Sequence, residues 1–225
     1  MTPRAALVAG SSRGLGAAIV RALRADGWSV ASCARGAKGP GDVHVRADLA
    51  TPAGARKAVG AAVRAFGRLD LLVCAAGDFA WTPVEKFEIQ AWRRVFDSNL
   101  KTAWFACREA LPRLRKAKGA IVILGGPRTR DVRGNPRAVA YQMAKTALAV
   151  FAASLARAEA PRGVRVGLVC PGVVAGGEHS DPALARRIPA GRLGKPDEVA
   201  RAVLWLATAT YAEGAVIDVG GGWGA

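Results

Sequence analysis

Short, mostly apolar runs recur along this chain at residues 5–9, 29–33, 43–46, 69–74, 120–124, 164–170 and 215–219. Several are apolar throughout, a pattern that predicts strands buried on both faces of a parallel sheet. Longer segments with helical spacing lie between them, at 15–26, 52–66, 88–99, 102–116, 138–160 and 196–207. Pro52 after Thr51, and Pro196 before Asp197 and Glu198, suit the first position of a helix. Alternation of this kind predicts an α/β fold: a doubly wound parallel sheet of about seven strands with helices on both faces. No composition break and no internal repeat interrupts it, so residues 1–225 read as a single domain. The most irregular stretches are 125–137 and 172–191. Loops of that length in a compact domain usually carry function.

Composition narrows the classes. With 51% hydrophobic and 22% charged residues, the chain is not of the disordered type. No run comes near the roughly 20 apolar residues that span a bilayer, so no transmembrane helix and no membrane partner are expected. The first residues, Met-Thr-Pro-Arg, lead straight into a strand, and no signal peptide is expected. Cys33, Cys74, Cys107 and Cys170 match no metal or redox spacing. They read as buried thiols of a cytoplasmic protein. The net charge is +16, from 33 basic and 17 acidic residues. The basic residues are scattered, and the densest cluster, 113–118, reads as a helix C-terminus, where cations suit the dipole. No aromatic platform accompanies them, so nucleic acid is not the expected partner. An acidic small ligand or carrier fits better.

Candidate chemistry begins after the first strand, at Gly10-Ser11-Ser12-Arg13-Gly14-Leu15-Gly16. Glycines allow the tight turn, and let backbone approach a pyrophosphate at the following helix N-terminus. The sheet then reads as a Rossmann-like nucleotide-binding fold. The second strand ends Cys33-Ala34-Arg35 with no carboxylate for a ribose 2′-hydroxyl. Arg35 and Arg13 instead suit a 2′-phosphate, which predicts NADP(H). Asp48 ends the third strand, where it suits an adenine amino group or a simple turn. Tyr141 and Lys145 lie four apart on a predicted helix and share one face. A phenol is a poor acid–base group near neutrality, and a neighbouring ammonium lowers its pKa.

These pieces stand in a recognisable order: the glycine loop, Asp48-Leu49, Cys74-Ala75-Ala76-Gly77, Asn99, Tyr141-Gln142-Met143-Ala144-Lys145, Pro171-Gly172 and Val216-Ile217-Asp218-Val219-Gly220-Gly221-Gly222. Together they resemble the short-chain dehydrogenase/reductase family over essentially the whole chain. The segment Ile188-Pro189-Ala190-Gly191-Arg192-Leu193-Gly194 resembles members acting on 3-oxoacyl carrier substrates. The resemblance implies an NADP(H)-dependent oxidoreductase. Tyr141 would be the general acid, Lys145 its pKa-lowering partner and a ribose ligand, and Asn99 the anchor of a water in a proton relay. Gly10, Ser12, Arg13, Gly14, Leu15 and Gly16 would hold the phosphates, with Arg35 beside them. Asp48, Leu49, Ala76 and Gly77 would lie on the adenosine side, and Pro171 and Gly172 beside the nicotinamide. A homodimer or homotetramer built on the helices near 102–116 and 138–160 is implied as well.

Departures from the family pattern bear on the substrate. The serine expected about 13 residues before the tyrosine is missing. Counting back gives Arg128, whereas aligning on the strand end gives Gly126 with two extra residues in the loop. Thr129 is the nearest hydroxyl and Asp131 the nearest acid. The adenine-side motif has lost its asparagines, the threonine expected after Pro171-Gly172 is absent, and the 172–191 segment is short. Losing an oxyanion donor typically costs about 10²–10³ in rate. Some pterin-reducing members of the family keep the tyrosine and lysine without that serine. The substrate classes are therefore a carbonyl or alcohol, including a 3-oxoacyl thioester, or a pteridine. A cofactor-binding sensor with little catalysis is the reading from another class.

Overall fold

Strands form where apolar runs can be covered from both sides. The computed structural model describes residues 3–86, 88–127, 129, 131–132, 134–177 and 180–223. Its strands are β1 (Ala5–Ala9), β2 (Ser29–Ala34), β3 (Val43–Arg46), β4 (Leu71–Cys74), β5 (Ala120–Leu124), β6 (Arg165–Pro171) and β7 (Val216–Val219). All pair in parallel in the order β3-β2-β1-β4-β5-β6-β7. The chain order reverses between β1 and β4, the switch point where ligands of such sheets bind. Ala9, at the end of β1, is in register with both Cys33 and Cys74. Three strand ends thus form one level rim.

The helices are α1 (Gly14–Ala25), α2 (Pro52–Phe66), α3 (Ile89–Phe96), α4 (Thr102–Ala117), α5 (Val139–Glu159) and α6 (Pro196–Thr208). One face of the sheet is covered by α2, α4 and α5, with Leu7, Leu72, Ile121 and Leu168 meeting Ala58, Cys107 and Leu148. The other is covered by α1 and α6, where Val8, Val30, Val73 and Val122 meet Ile19, Leu23, Val203 and Leu206. Thr51 caps α2 by accepting from Gly54 N at 3.0 Å, with Pro52 at the first position as the sequence predicts. At the end of α4, Arg115 makes a two-pronged ion pair with the buried Glu159 of α5, at 2.8 and 2.7 Å.

Two expectations change. Residues 88–116 are read from sequence as two helices, yet α3 and α4 are joined without a break by a π turn, Asp97–Lys101, that holds Asn99. Thr102 Oγ1 donates to the Ser98 carbonyl at 2.7 Å and supports the widened turn. Contrary to the expected absence, the segment Val139–Arg162, α5 and its short extension, is long and apolar enough to cross a membrane by length and composition. Here it packs on β6 and α3 and carries the buried Lys145, and a third of its apolar stretch is buried in this way. The four cysteines are buried and form no disulfide.

Candidate active site

The phosphate loop is fixed by backbone. Gly10 N and Ser11 N both donate to the Cys33 carbonyl, at 2.8 and 3.2 Å. The buried Ser11 hydroxyl donates to Val8 O at 2.9 Å and accepts from Cys33 N at 2.9 Å. Gly10 has φ +84°, and a side chain there would strike the backbone of Ala76 from the β4 turn. Gly16 presses in the same way on the Gly10 carbonyl. Ser12, Arg13 and Gly14 are exposed, Leu15 half-buried, and open space stands beside Gly14. No side chain caps α1 and no acid lies in its first turn, so its amides are left for an anion. The loop therefore fits a dinucleotide pyrophosphate.

Beside it, a cavity of about 520 Å³ is lined by Arg35, Arg46, Ala47, Asp48, Gly54 and Lys57. Asp48 Oδ1 accepts from Ala50 N at 3.0 Å as a turn residue, and Asp48 also lines the cavity. The neighbouring Leu49 follows β3 and its side chain is buried in the core with residues of α2. Arg46 and Lys57 were not singled out from the sequence. Their signal is position, since Arg46 closes β3 and Lys57 lies in the first turns of α2, both on the rim.

On the far side of the switch point, Tyr141 and Lys145 share the inner face of α5. Lys145 is buried and its Nζ donates to the Leu124 carbonyl, at the end of β5, at 3.0 Å. The same nitrogen stands 5.6 Å from the centre of the Tyr141 ring. Burial pushes the Tyr141 phenol up to about 12 and the Lys145 ammonium down to about 8. The expectation that Lys145 lowers the Tyr141 pKa does not hold in this state. Desolvation of the phenolate dominates, and the ammonium is itself desolvated and turned toward a carbonyl. Asn99 is buried in the π turn. Its Nδ2 donates to the Asp78 and Val95 carbonyls, both at 2.9 Å, and its Oδ1 packs on Gly77, where any side chain would collide. That Oδ1 is buried without a hydrogen-bond partner. Pro171 ends β6, and Gly172 N donates to Val219 O at 2.9 Å, which places this turn beside Leu124 and the C-terminal glycines.

Of the two positions aligned with the missing serine, the structure describes Gly126. A Cβ built on Gly126 would stand 3.3 Å from Tyr141 Oη and 3.1 Å from Lys145 Cγ. Gly126 thus occupies the place from which a serine would face the tyrosine. Thr129 does not substitute for it: its buried hydroxyl accepts from Gly126 N at 2.7 Å and donates to the Gly126 carbonyl. Arg128, the other candidate, lies outside the described residues. Against Tyr141 stands an aromatic wall that sequence reading missed. Phe79 lies 4.8 Å from the Tyr141 ring, and Trp81 meets Phe79 edge-on at 4.9 Å. Both follow the Cys74–Gly77 turn on the rim of β4, which is the signal that marks them.

The profile of the family described as enoyl-(acyl carrier protein) reductase matches residues 9–224. A 3-oxoacyl-(acyl-carrier-protein) reductase of Synechocystis sp. is 32% identical over 242 residues, covering 99% of this chain and 97% of its own length. The 3β-hydroxysteroid dehydrogenase 1 of Eggerthella lenta is 32% identical over 241 residues, covering 96% of this chain and 92% of its own. Among solved structures, a blue fluorescent protein from a metagenomic library, in complex with NADPH, superposes with a TM-score of 0.88 at 30% identity, over 99% of this chain and 98% of that one. A parallel seven-stranded sheet, a glycine loop at its switch point and a tyrosine–lysine helix are thus accompanied by likeness along the whole sequence, and the chain belongs to the short-chain dehydrogenase/reductase family of nicotinamide-dependent oxidoreductases.

Proposed function

We propose that this protein is an NADP(H)-dependent oxidoreductase in which Tyr141 exchanges a proton with a carbonyl or alcohol substrate. The observation that carries this reading is the meeting of a half-buried phenol and a buried ammonium at the end of β5, across the switch point from a cationic cleft. Arg13, Arg35, Arg46 and Lys57 would hold the 2′-phosphate side, and the loop 10–16 the pyrophosphate. The bound nicotinamide supplies or accepts the hydride. Tyr141, protonated up to about pH 12, gives its proton to the substrate atom that gains charge. Lys145 stands behind the ring, fixed by Leu124 O, where it would hold the nicotinamide ribose. Asn99 orders the turn between Gly77 and α4 and offers its unpaired oxygen to a water of the relay.

A second reading has its own support. Gly126 leaves no hydroxyl opposite Tyr141, and the Phe79 ring packs beside it at 4.8 Å. Both favour a conjugated ring such as a quinonoid dihydropterin over a simple ketone. The assay compares NADPH oxidation with a 3-oxoacyl thioester, a simple cyclic ketone and a quinonoid dihydropterin. Turnover of the thioester supports the first reading, and turnover of the pterin alone the second. Tight cofactor binding with no turnover of a broad panel supports a sensor instead. For assembly, we propose a homodimer through α4 and α5. Trp104, packed on Phe151 at 5.1 Å, is 53% exposed and Val150 64% exposed, and together they leave an apolar face open. Trp104→Glu should shift the protein to monomer in sedimentation.

A further inference from the structure

Two charged side chains reach across the cleft at the switch point. Arg35 follows the end of β2 and Asp78 follows the turn after β4, and β1 stands between these strands. Neighbouring strands lie about 4.8 Å apart, so the two rims are separated by about 10 Å. Even so, Arg35 Nη2 donates to Asp78 Oδ2 at 3.3 Å. The guanidinium therefore lies over the end of β1, where Gly10 begins the phosphate loop. Both ends of this bridge are anchored by backbone. The Arg35 carbonyl accepts from Arg46 Nε at 3.2 Å, and Asp78 N donates to Ser98 Oγ at 3.1 Å. Only the two side-chain arms have to move to clear the cleft.

We propose that the Arg35–Asp78 ion pair is a latch across the dinucleotide cleft that opens when cofactor binds, and that Asp78 thereby tunes cofactor affinity. The inference rests on the NADP(H) reading of the cleft. With a 2′-phosphate present, Arg35 exchanges one anion for another. With NAD(H) the pair is broken and Arg35 gains no phosphate. The Arg35 side chain is 71% exposed and that of Asp78 28%, so the latch is weak. An exposed pair is worth up to about 1 kcal/mol, which corresponds to at most about fivefold in affinity. It is a bias on the free protein, not a barrier.

The test is a double-mutant cycle read by calorimetric titration of NADPH and NADH into the wild type, Asp78→Asn, Arg35→Ala and the double variant. The latch predicts that Asp78→Asn tightens both cofactors about two- to fivefold, and that the same change has no effect once Arg35 is alanine. Arg35→Ala alone should tighten NADH by a similar factor while weakening NADPH. Removal of simple repulsion between Asp78 and the cofactor phosphates predicts equal tightening in both backgrounds, and that result, or no tightening in either, overturns the latch. Asp78→Ala repeats the measurement if the amide makes new contacts. Equal wild-type affinity for NADH and NADPH would remove the 2′-phosphate reading, while the NADH arm of the cycle would still decide the latch.

Discussion

The two halves of the rim are built on different principles. Over β1, β2 and β3 the cleft is shaped by backbone: Gly10 and Ser11 share the Cys33 carbonyl, and Gly10 touches Ala76 with nothing to spare. Over β5 and β6 the site is shaped by side chains delivered from α5 and from the segments that follow β4 and β5, and the position facing Tyr141 is a glycine. A phosphate is the same in every dinucleotide, so close backbone approach suffices for it. A substrate varies, and side chains on irregular segments are what can vary with it. The comparison predicts that changes on the chemical half act on rate, and changes on the adenosine half on cofactor choice.

The largest expected effect is on the chemical half. Tyr141→Phe removes the proton donor and should lower turnover by about 10²–10⁴ while leaving cofactor affinity nearly intact. Steady-state rates and calorimetry on the same preparation check both. Activity that survives this change would mean that the proton comes from elsewhere. Because the phenol stays protonated up to about pH 12, loss of reduction with rising pH should follow Lys145, near pH 8. Alcohol oxidation should run the other way and rise with pH.

Next in size is a gain. Gly126→Ser places a hydroxyl toward Tyr141 Oη, where a donor to a developing oxyanion is worth about 10²–10³ at most. Reduction of a simple ketone should rise toward that range. The tight 3.1 Å approach to the Lys145 Cγ methylene holds the gain below the full value unless that chain shifts. Pterin reduction should change little. If ketones are already fast substrates of the wild type and the serine adds nothing, the glycine has no bearing on substrate choice.

On the adenosine half the effect is selectivity. Charge-assisted hydrogen bonds contribute about 1.5–3 kcal/mol each, so Lys57→Ala or Arg46→Ala should weaken NADPH by about 10-fold or more and leave NADH almost unmoved. Ala34→Asp, which sets a carboxylate beside the 2′-position, should weaken NADPH as well. Fluorescence titration with both cofactors decides it, and parallel losses for NADH and NADPH would show that these cations do not meet the 2′-phosphate.

The same contrast explains what could be read from sequence. Strands at 5–9, 43–46 and 120–124 and the helix at 52–66 coincide with the structure residue for residue, because apolar runs, Thr51 and Pro52 are local signals. The glycine loop and the Tyr141–Lys145 spacing are local as well. Phe79 against Tyr141, Arg46 and Lys57 around one cavity, and Arg35 against Asp78 are meetings between distant segments, and no local pattern carries them. The π turn was hidden for a different reason: a single residue inserted into a continuous helix changes no periodicity that a short segment shows. The direction of the Tyr141 pKa was misjudged because spacing places an ammonium near a phenol but says nothing of how dry both become.

That dryness gives the smallest effect, and the one that separates Lys145 from its surroundings. The folded protein holds the Lys145 pKa at about 8, against 10.5 for the ordinary group. Between those values the unfolded chain binds the proton that the folded chain has lost, so stability rises with pH through this window. The penalty for burying the ammonium is complete well below pH 8 and gone above 10.5. Tyr141 has the opposite sign, since its folded pKa lies above the ordinary 10, but it acts only from about pH 10 upward. Lys145→Met removes the ammonium together with its bond to Leu124 O, and loss of that bond shifts stability equally at every pH in the range. The stability difference between wild type and variant should therefore move by about 1 kcal/mol in favour of the wild type between pH 7 and pH 9. Urea melts at several pH values measure it, and all other titrating groups cancel in the difference. A flat difference would mean that Lys145 is not a desolvated ammonium, and the chemical half of the rim would then lose its distinctive electrostatics while the adenosine half stood unchanged.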